Sequence, residues 1–516
     1  MESLKVNISP YLPPFIPFLS SLFFRIGIYQ TWAIMLISTI FFFFSIIGFY
    51  LLLNLRFSKR NSFIFSILFM LTPIVFSWAS RGNVDIPLLC LIIWSMYVLI
   101  RGFEKNSSFL YLLFPLLALG FLTKYVFGLI LIPISFYFII NIIEGKLDYI
   151  KIKKIVIGLF FGILILVPYF YISMNLFGKI LPFLSQVNEV MGGTGIKTEA
   201  YDFNGSKLFY VKNIVYILNS SIKLNNIINT ESIAYFTLIL ASLIGLIGYV
   251  KNIIKKTYDN RLKTKIKYIL FFIMFISLLS VFYFKFTIIS IVFAYLLFLI
   301  LYGITKKHSN LFIKMDITLL LLGITFLIFF SLFDIKSIRY ILPVIPVLYF
   351  FILVGMENLY LIGKILIKRL NKLKPQETQV KFLKKYKIIF GICLILLISI
   401  SVFPSLPQYI NFTDDKIFEK NFETDLVYNW FIKNVKNPKD EKIYVNNQSS
   451  VAVYNWYLKQ PVYLIKKPPK NRSKTISKEL LEQNATVYIH MGRSSYNIPG
   501  YEKSRLTKQI TIYKRA

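Results

Sequence analysis

Twelve stretches of this chain are apolar for long enough to cross a bilayer as helices, which takes about 20 residues each. They fall at 31–54, 62–80, 84–101, 108–122, 125–143, 155–174, 232–250, 267–284, 286–303, 317–333, 340–358 and 387–404. Only Thr123 and Lys124 interrupt the pair 108–122 and 125–143, which reads as a tight helical hairpin, with one long broken helix as the alternative. The stretch 11–28 opens with Pro13-Pro14 and carries Arg25. It is shorter and amphipathic, and it predicts a helix lying in the membrane interface.

The connectors sort by charge. Those at 55–61, 101–107, 144–154, 251–266, 304–316 and 359–386 are basic, while those at 81–83, 124, 175–231, 285 and 334–339 are short or mildly charged. Lysine- and arginine-rich loops stay in the cytoplasm. The alternation therefore predicts a multi-pass protein of the cell membrane with both termini outside. An external N-terminus without an apolar leader in MESLKVNISP is unusual. It carries the expectation of a first helix missing ahead of Met1, and of thirteen spans in the full architecture. Residues 1–404 then form a multi-spanning domain. Residues 405–516 read as a small extracytoplasmic α/β domain, with strands expected at EKIYVNN, PVYLIKK, ATVYIHM and QITIYKR and helices at FEKNFETDLVYNWFIKNV and SKELLEQ. The long connector 175–231, with Gly192, Gly193 and Gly195, reads equally as a substrate-gating loop and as a plain ordered one. The sequons at Asn204, Asn411 and Asn484 carry little weight in so asparagine-rich a chain.

Composition agrees with this picture. Of 516 residues, 56% are hydrophobic and 16% charged, against roughly 25% charged in soluble proteins. That excludes a soluble enzyme, a disordered chain, a collagen and a coiled coil. Two cysteines and two histidines leave no disulfide framework and no histidine-based metal centre. The 59 Lys+Arg against 24 Asp+Glu give a formal charge of +35. Those lysines sit in cytoplasmic loops, where they set topology and touch anionic membrane lipids, so nucleic acid is not an expected partner.

Charge at the edge of a spanning segment is costly and points to function. On the outer side it comprises Arg81, Asp85, Lys124, Lys285, Asp334, Lys336 and Arg339, with Glu357 at the inner end of its helix. Asp85, in SRGNVDIPLLCL, suits hydrogen bonding to a sugar hydroxyl or proton transfer. The plainer account is that Asn83 or Asp85 caps the helix start. Arg81 beside it suits a phosphate or Asp85 itself. Lys124, in ALGFLTKYVFGL, suits a lipid phosphate, or else snorkels to the interface. Arg339 and Tyr340, in DIKSIRYILPVIPVLYF, suit a phosphate, or else form an interfacial anchor. Together they place one acid and several bases on one leaflet face, as a substrate built of lipid, phosphate and sugar requires.

The order PPFIPFLSSLFFRIG, RGNVDIPLL, LALGFLTKYVFGLILIP and IRYILPVIPVL resembles the GT-C membrane glycosyltransferases. The group most similar is family 39 in the broad sense, the protein O-mannosyltransferases and the lipid A aminoarabinose transferases. The resemblance runs over about residues 11–360, and the layout of the C-terminal domain is similar to the aminoarabinose type. It implies transfer of a sugar from a polyprenyl-phosphate donor (dolichyl or undecaprenyl) to a protein, lipid or glycan acceptor, with inversion at the anomeric carbon and a carboxylate as base. It implies that Asp85 is the second acidic position and the catalytic candidate here. Lys124, Arg339, Tyr340 and Arg81 would bind the donor phosphate. The family's main acidic pair, in a first outer loop, has no counterpart, and Leu12 stands where a basic residue often precedes the proline. Some members hold a divalent metal near that loop; nothing in these residues argues for one. Two other classes remain open: a non-catalytic scaffold subunit, in which Asp85, Lys124 and Arg339 are dispersed, and a lipid-linked oligosaccharide flippase, with charges at the bilayer midplane and an internal repeat.

Overall fold

The computed structural model describes residues 13–26, 32–80, 82–181, 202–203, 206–219, 230–257, 262–306, 311–333, 335–370, 417–435, 440–446, 451, 454, 458, 461–465, 472–492, 497–507 and 510–516. They divide into two compact units, within Pro10–Pro407 and within Gln408–Ala516.

The first unit is helical. Amphipathic α1 (Phe15–Arg25) buries Ile16 and Ser20 and exposes Phe18 and Leu22. It packs on α2 (Trp32–Leu53), an apolar helix that lies along α5 (Asp85–Glu104). Between them the expected span 62–80 is broken. Helix α3 (Lys59–Met70) and α4 (Pro73–Ala79) meet at 64°. Pro73 has no N–H to continue the ladder and disfavours helical geometry at Thr72, so the chain stops and restarts. The Thr72 hydroxyl donates to the Leu68 carbonyl at 2.9 Å and bonds the Tyr349 hydroxyl at 2.8 Å, which fixes the bend in the core.

Next come α6 (Leu110–Thr123) and α7 (Leu131–Ile143), joined by extended Lys124 and a 3-10 turn over Tyr125–Ile130. The expected tight hairpin gives way to a divergence. A side chain at Gly120 would occupy the Phe127 ring, so the turn folds back on α6. Then α7 departs to pack on α13 (Leu311–Leu332), whereas α6 packs on α8 (Tyr149–Phe177). After α9 (Phe209–Leu218) come α10 (Thr230–Thr257), α11 (Leu262–Tyr283) and α12 (Thr287–Thr305). Following α13, a 3-10 turn (Ile338–Val344) opens α14 (Ile345–Leu370), which continues well past the expected end at 358. Residues 202–203 (β1) and 335–336 (β2) form a short antiparallel pair.

Among the described residues nine helices are long and apolar enough to span a membrane, or ten if the bent pair is one span. The segment at 108–122 is a shorter apolar helix, and the expected span at 387–404 lies outside the described residues. Helices α5, α13 and α14 are mostly buried, while the apolar window of α11 has no buried residue. Lipid is as apolar as leucine, so helices associate here through close packing. The tightest packing is α10 on α14. A Cβ at Gly355 would strike the Ser242 carbonyl, and one at Gly245 the Gly355 carbonyl. Gly355→Ala is expected to force these helices apart and destabilise the bundle by about 1–3 kcal/mol. Gly303→Ala, which meets nothing within 4 Å, should be neutral or slightly stabilising, and thermal unfolding in detergent compares the two.

The second unit is a five-stranded sheet in the order β4-β3-β5-β7-β6. Its members are β3 (Ile443–Val445), β4 (Val462–Leu464), β5 (Val487–Met491), β6 (Tyr501–Arg505) and β7 (Ile510–Arg515). β3 runs parallel to β4 and β5, and β7 antiparallel to β5 and β6. Val427 and Phe431 of α15 (Ile417–Asn434) cover one face, and Ile476 and Leu480 of α16 (Arg472–Glu482) the other. All four expected strands form. The fifth, YEKSR, is a charged edge strand whose apolar alternation is too weak to read.

Candidate donor-phosphate site

The N-terminal end of α5 gathers residues from four parts of the chain. Val84 is the N-cap and makes no side-chain cap bond, so Asp85 lies in the first turn. The helix dipole favours an acid there. Its carboxylate does not cap the helix, which corrects the plainer reading of Asp85. It accepts instead from the Lys124 ammonium, with Nζ to Oδ1 at 2.6 Å. Arg339 Nε lies 3.9 Å from the other oxygen, Oδ2. Asp85 is 2% exposed, whereas Lys124 and Arg339 keep about a quarter of their side chains open.

Aromatic rings hold both cations. Lys124 Nζ is 5.3 Å from the Tyr340 ring centroid. The Arg339 guanidinium is 5.6 Å from the same ring and 5.5 Å from that of Trp78, which the Pro73 break brings here on α4. Tyr340 stacks on Phe330 at 5.0 Å and 14°, so its ring is fixed. Lys124 is therefore paired rather than snorkelling, and Arg339 is packed over rings beside a carboxylate rather than anchored at an interface. Among the described residues, two cations stand against one buried acid here, an excess of positive charge.

Four of the five residues singled out from sequence, Asp85, Lys124, Arg339 and Tyr340, converge. Arg81 lies outside the described residues, as do Asp334 and the glycines at 192, 193 and 195. Lys336 does not join them. It is 2% exposed and donates to the carbonyls of Phe330 at 3.0 Å, Ser331 at 2.7 Å and Phe333. It thereby caps the C-terminal end of α13. Lys285 sits in a left-handed turn at φ 62° between α11 and α12. Trp78 was not legible in the sequence; only the break at Pro73 hints that it leaves the line of its helix.

A second set of charges lies at the other end of α5, roughly 28 Å away along a 20-residue helix. Buried Lys314 donates to Glu104 and, at 3.0 Å, to Glu144. Tyr137 donates to Glu104 at 2.9 Å, and Tyr302 to Glu144. Lys146 pairs with Glu144 at 3.1 Å and Glu104 at 3.7 Å. Nearby Arg56 pairs with Asp316, which also accepts from Tyr249 at 2.5 Å. Glu357, mid-helix rather than at a helix end, accepts from Asn61 at 3.2 Å. The ion-paired charges, Lys314, Lys146 and Arg56 with Glu104, Glu144 and Asp316, neutralise one another and cross-link helices. Burial alone would raise the Glu144 carboxyl. Hydrogen bonds from Tyr302, Lys314 and Lys146 outweigh it and hold that carboxyl at about 2.

No group of three or more metal-ligating side chains occurs among the described residues. Among the described residues Asp85 is the one carboxylate at this site, and it is buried against the Lys124 ammonium.

Residues 12–172 match the family of dolichyl-phosphate-mannose-protein mannosyltransferases, a range that includes Asp85 and Lys124. No curated protein matches the chain. Among solved structures, ArnT from Cupriavidus metallidurans bound to undecaprenyl phosphate aligns with TM-score 0.55 at 11% identity, over 99% of this chain and 88% of that one. The apo form of the same protein aligns with TM-score 0.52 at 12% identity, over 99% and 89%. The family match covers about the first third of the chain, and the ArnT alignments show that the chain shares that protein's fold along its length.

Proposed function

We propose that this protein transfers a sugar from a polyprenyl-phosphate donor to a protein, lipid or glycan acceptor at the membrane face opposite its basic connectors. The observation that carries this reading is the convergence of Lys124, Arg339 and Tyr340 on Asp85. In the reaction the bond between the anomeric carbon and the phosphate oxygen breaks. An acceptor oxygen bonds that carbon from the far side, and its proton passes to a base. Negative charge grows on the departing lipid phosphate. Lys124 and Arg339, positioned in advance and partly desolvated, stabilise that charge more than they stabilise the ground state. Asp85 holds both cations in place before the donor arrives. Its contact with Lys124 makes it an orienting group for the donor side, with the acceptor proton taken elsewhere. The basic connectors support an Asp85 end that faces outside the cell, and separately an extracytoplasmic C-terminal α/β unit. The ArnT neighbour is a structure with undecaprenyl phosphate bound, which agrees in ligand class with the cations seen here.

The test is release of lipid phosphate from a radiolabelled polyprenyl-phosphate sugar by membranes carrying the protein. Arg339→Ala is expected to lower kcat/KM by about 10- to 100-fold, since a hydrogen bond to a charged group contributes about 1.5–3 kcal/mol. Undiminished turnover in that variant removes Arg339 from the phosphate site. Binding of decaprenyl phosphate by the wild type, with no turnover of any donor, favours the scaffold reading.

A further inference from the structure

We infer that Tyr210 is a positioning residue for Arg339, acting through the main chain of Ser337. The inference rests on the phosphate-binding role of Arg339 proposed above. Arg339 stands on the 3-10 turn Ile338–Val344, whose N-cap is Ser337 in extended conformation. An N-cap residue sets where a helical turn begins and how it is rotated. Here both main-chain polar groups of that residue engage one side chain. The Tyr210 hydroxyl donates to the Ser337 carbonyl at 3.0 Å and accepts from the Ser337 N–H at 3.3 Å.

Tyr210 comes from α9, 127 residues away in the chain, and is 1% exposed. Its ring packs edge-on against Phe209 at 5.1 Å, so the hydroxyl has little freedom. The residues just before Ser337 are held too. Lys336 is drawn onto the end of α13, and 335–336 pair with 202–203 in register Asp202↔Lys336. Those contacts anchor the start of the turn. The Tyr210 hydroxyl holds the main chain at Ser337, two residues before Arg339. Arg339 Nε meets Asp85 at 3.9 Å, so a small rotation of the turn decides whether the guanidinium faces the phosphate position together with Lys124.

Tyr210→Phe keeps the ring and removes only the hydroxyl. In detergent-solubilised full-length protein it is expected to raise the Kd for decaprenyl phosphate about tenfold, the effect of one lost buried hydrogen bond transmitted to the site. The kcat for the lipid-linked donor falls in parallel, because Arg339 acts on the charge that grows on the departing phosphate. In an Arg339→Ala background, Tyr210→Phe should add less than about twofold, because a residue that acts through another has no separate effect once that one is gone. The structural control is Tyr137→Phe, which loses a buried tyrosine's hydroxyl bond to Glu104 at the opposite end of α5. It should leave Kd unchanged. Unchanged Kd in Tyr210→Phe, additive effects with Arg339→Ala, or an equal rise in Tyr137→Phe each overturns the inference. If Arg339→Ala by itself leaves decaprenyl phosphate binding intact, the failure is that of the phosphate-site reading.

Discussion

Lys124→Met is expected to reduce sugar transfer by about two to three orders of magnitude, more than any other single change at the Asp85 site. Two effects combine. The ammonium that meets the leaving phosphate is lost. In addition Asp85, 2% exposed, is left without the partner that Lys124 provides at 2.6 Å. Removing one member of a buried ion pair is destabilising by about 3–5 kcal/mol. Among the described residues Arg339, 3.9 Å from Asp85, is the nearest other cation able to relieve that charge, and moving onto it takes a second cation away from the phosphate. The two effects separate in the double variant Asp85→Asn/Lys124→Met. Neutralising the acid should restore the thermal midpoint while turnover stays low. Recovery of turnover together with stability would show that Lys124 serves only to balance Asp85. Lys124→Arg, which keeps the charge but not the compact ammonium, is expected to fall between the wild type and Lys124→Met.

The largest loss of stability is expected from Lys314→Met, at the opposite end of α5. Lys314 is 1% exposed and bonds both Glu104 and Glu144. Without it two carboxylates share a partly buried site with Lys146 as the remaining cation, a loss of about 3–5 kcal/mol. The sign of the pH dependence identifies the cause. Glu144 is held at about 2 in the folded protein against a reference of 4.5. Its contribution is therefore complete above the reference value and disappears as pH falls toward the folded one. The wild type should thus show a flat thermal midpoint near neutrality and a decline in acid. In Lys314→Met the like charges favour protonation, so acidification first raises the midpoint toward that of the wild type. Parallel curves for the two proteins would remove the ion network from the explanation. Glu104→Gln/Glu144→Gln/Lys314→Met, with all three charges gone, should recover much of the loss.

The two charge clusters were not equally visible from residue order. Asp85, Lys124 and Arg339 stand out because each lies at the edge of a long apolar run, where a charge is rare and costly. Glu104, Glu144 and Lys314 lie within or beside connectors already rich in lysine, so nothing local separates a buried, paired lysine from a solvated one. Lys336 shows the converse error. Its position at the edge of a spanning segment marked it as a charge that points to function, yet its ammonium satisfies the orphan carbonyls at the end of α13. Which role a marginal lysine takes depends on where the neighbouring helix stops.

Residue order alone determined that this chain lives in a bilayer, because long apolar runs leave the backbone no option there but helix. It also determined where most helices lie and which strands build the C-terminal sheet, since period and length are local properties. The register between distant segments was decided by tertiary structure alone. Pro73 announces a break but not the 64° bend that brings Trp78 to Arg339. The pairing of Asp85 with Lys124, 39 residues apart, and of Tyr210 with Ser337, 127 apart, follows from close packing of α5, α6, α9 and α13. Such contacts are set by the shapes of whole helix faces, a sum over many weak dispersion contacts that no local pattern records.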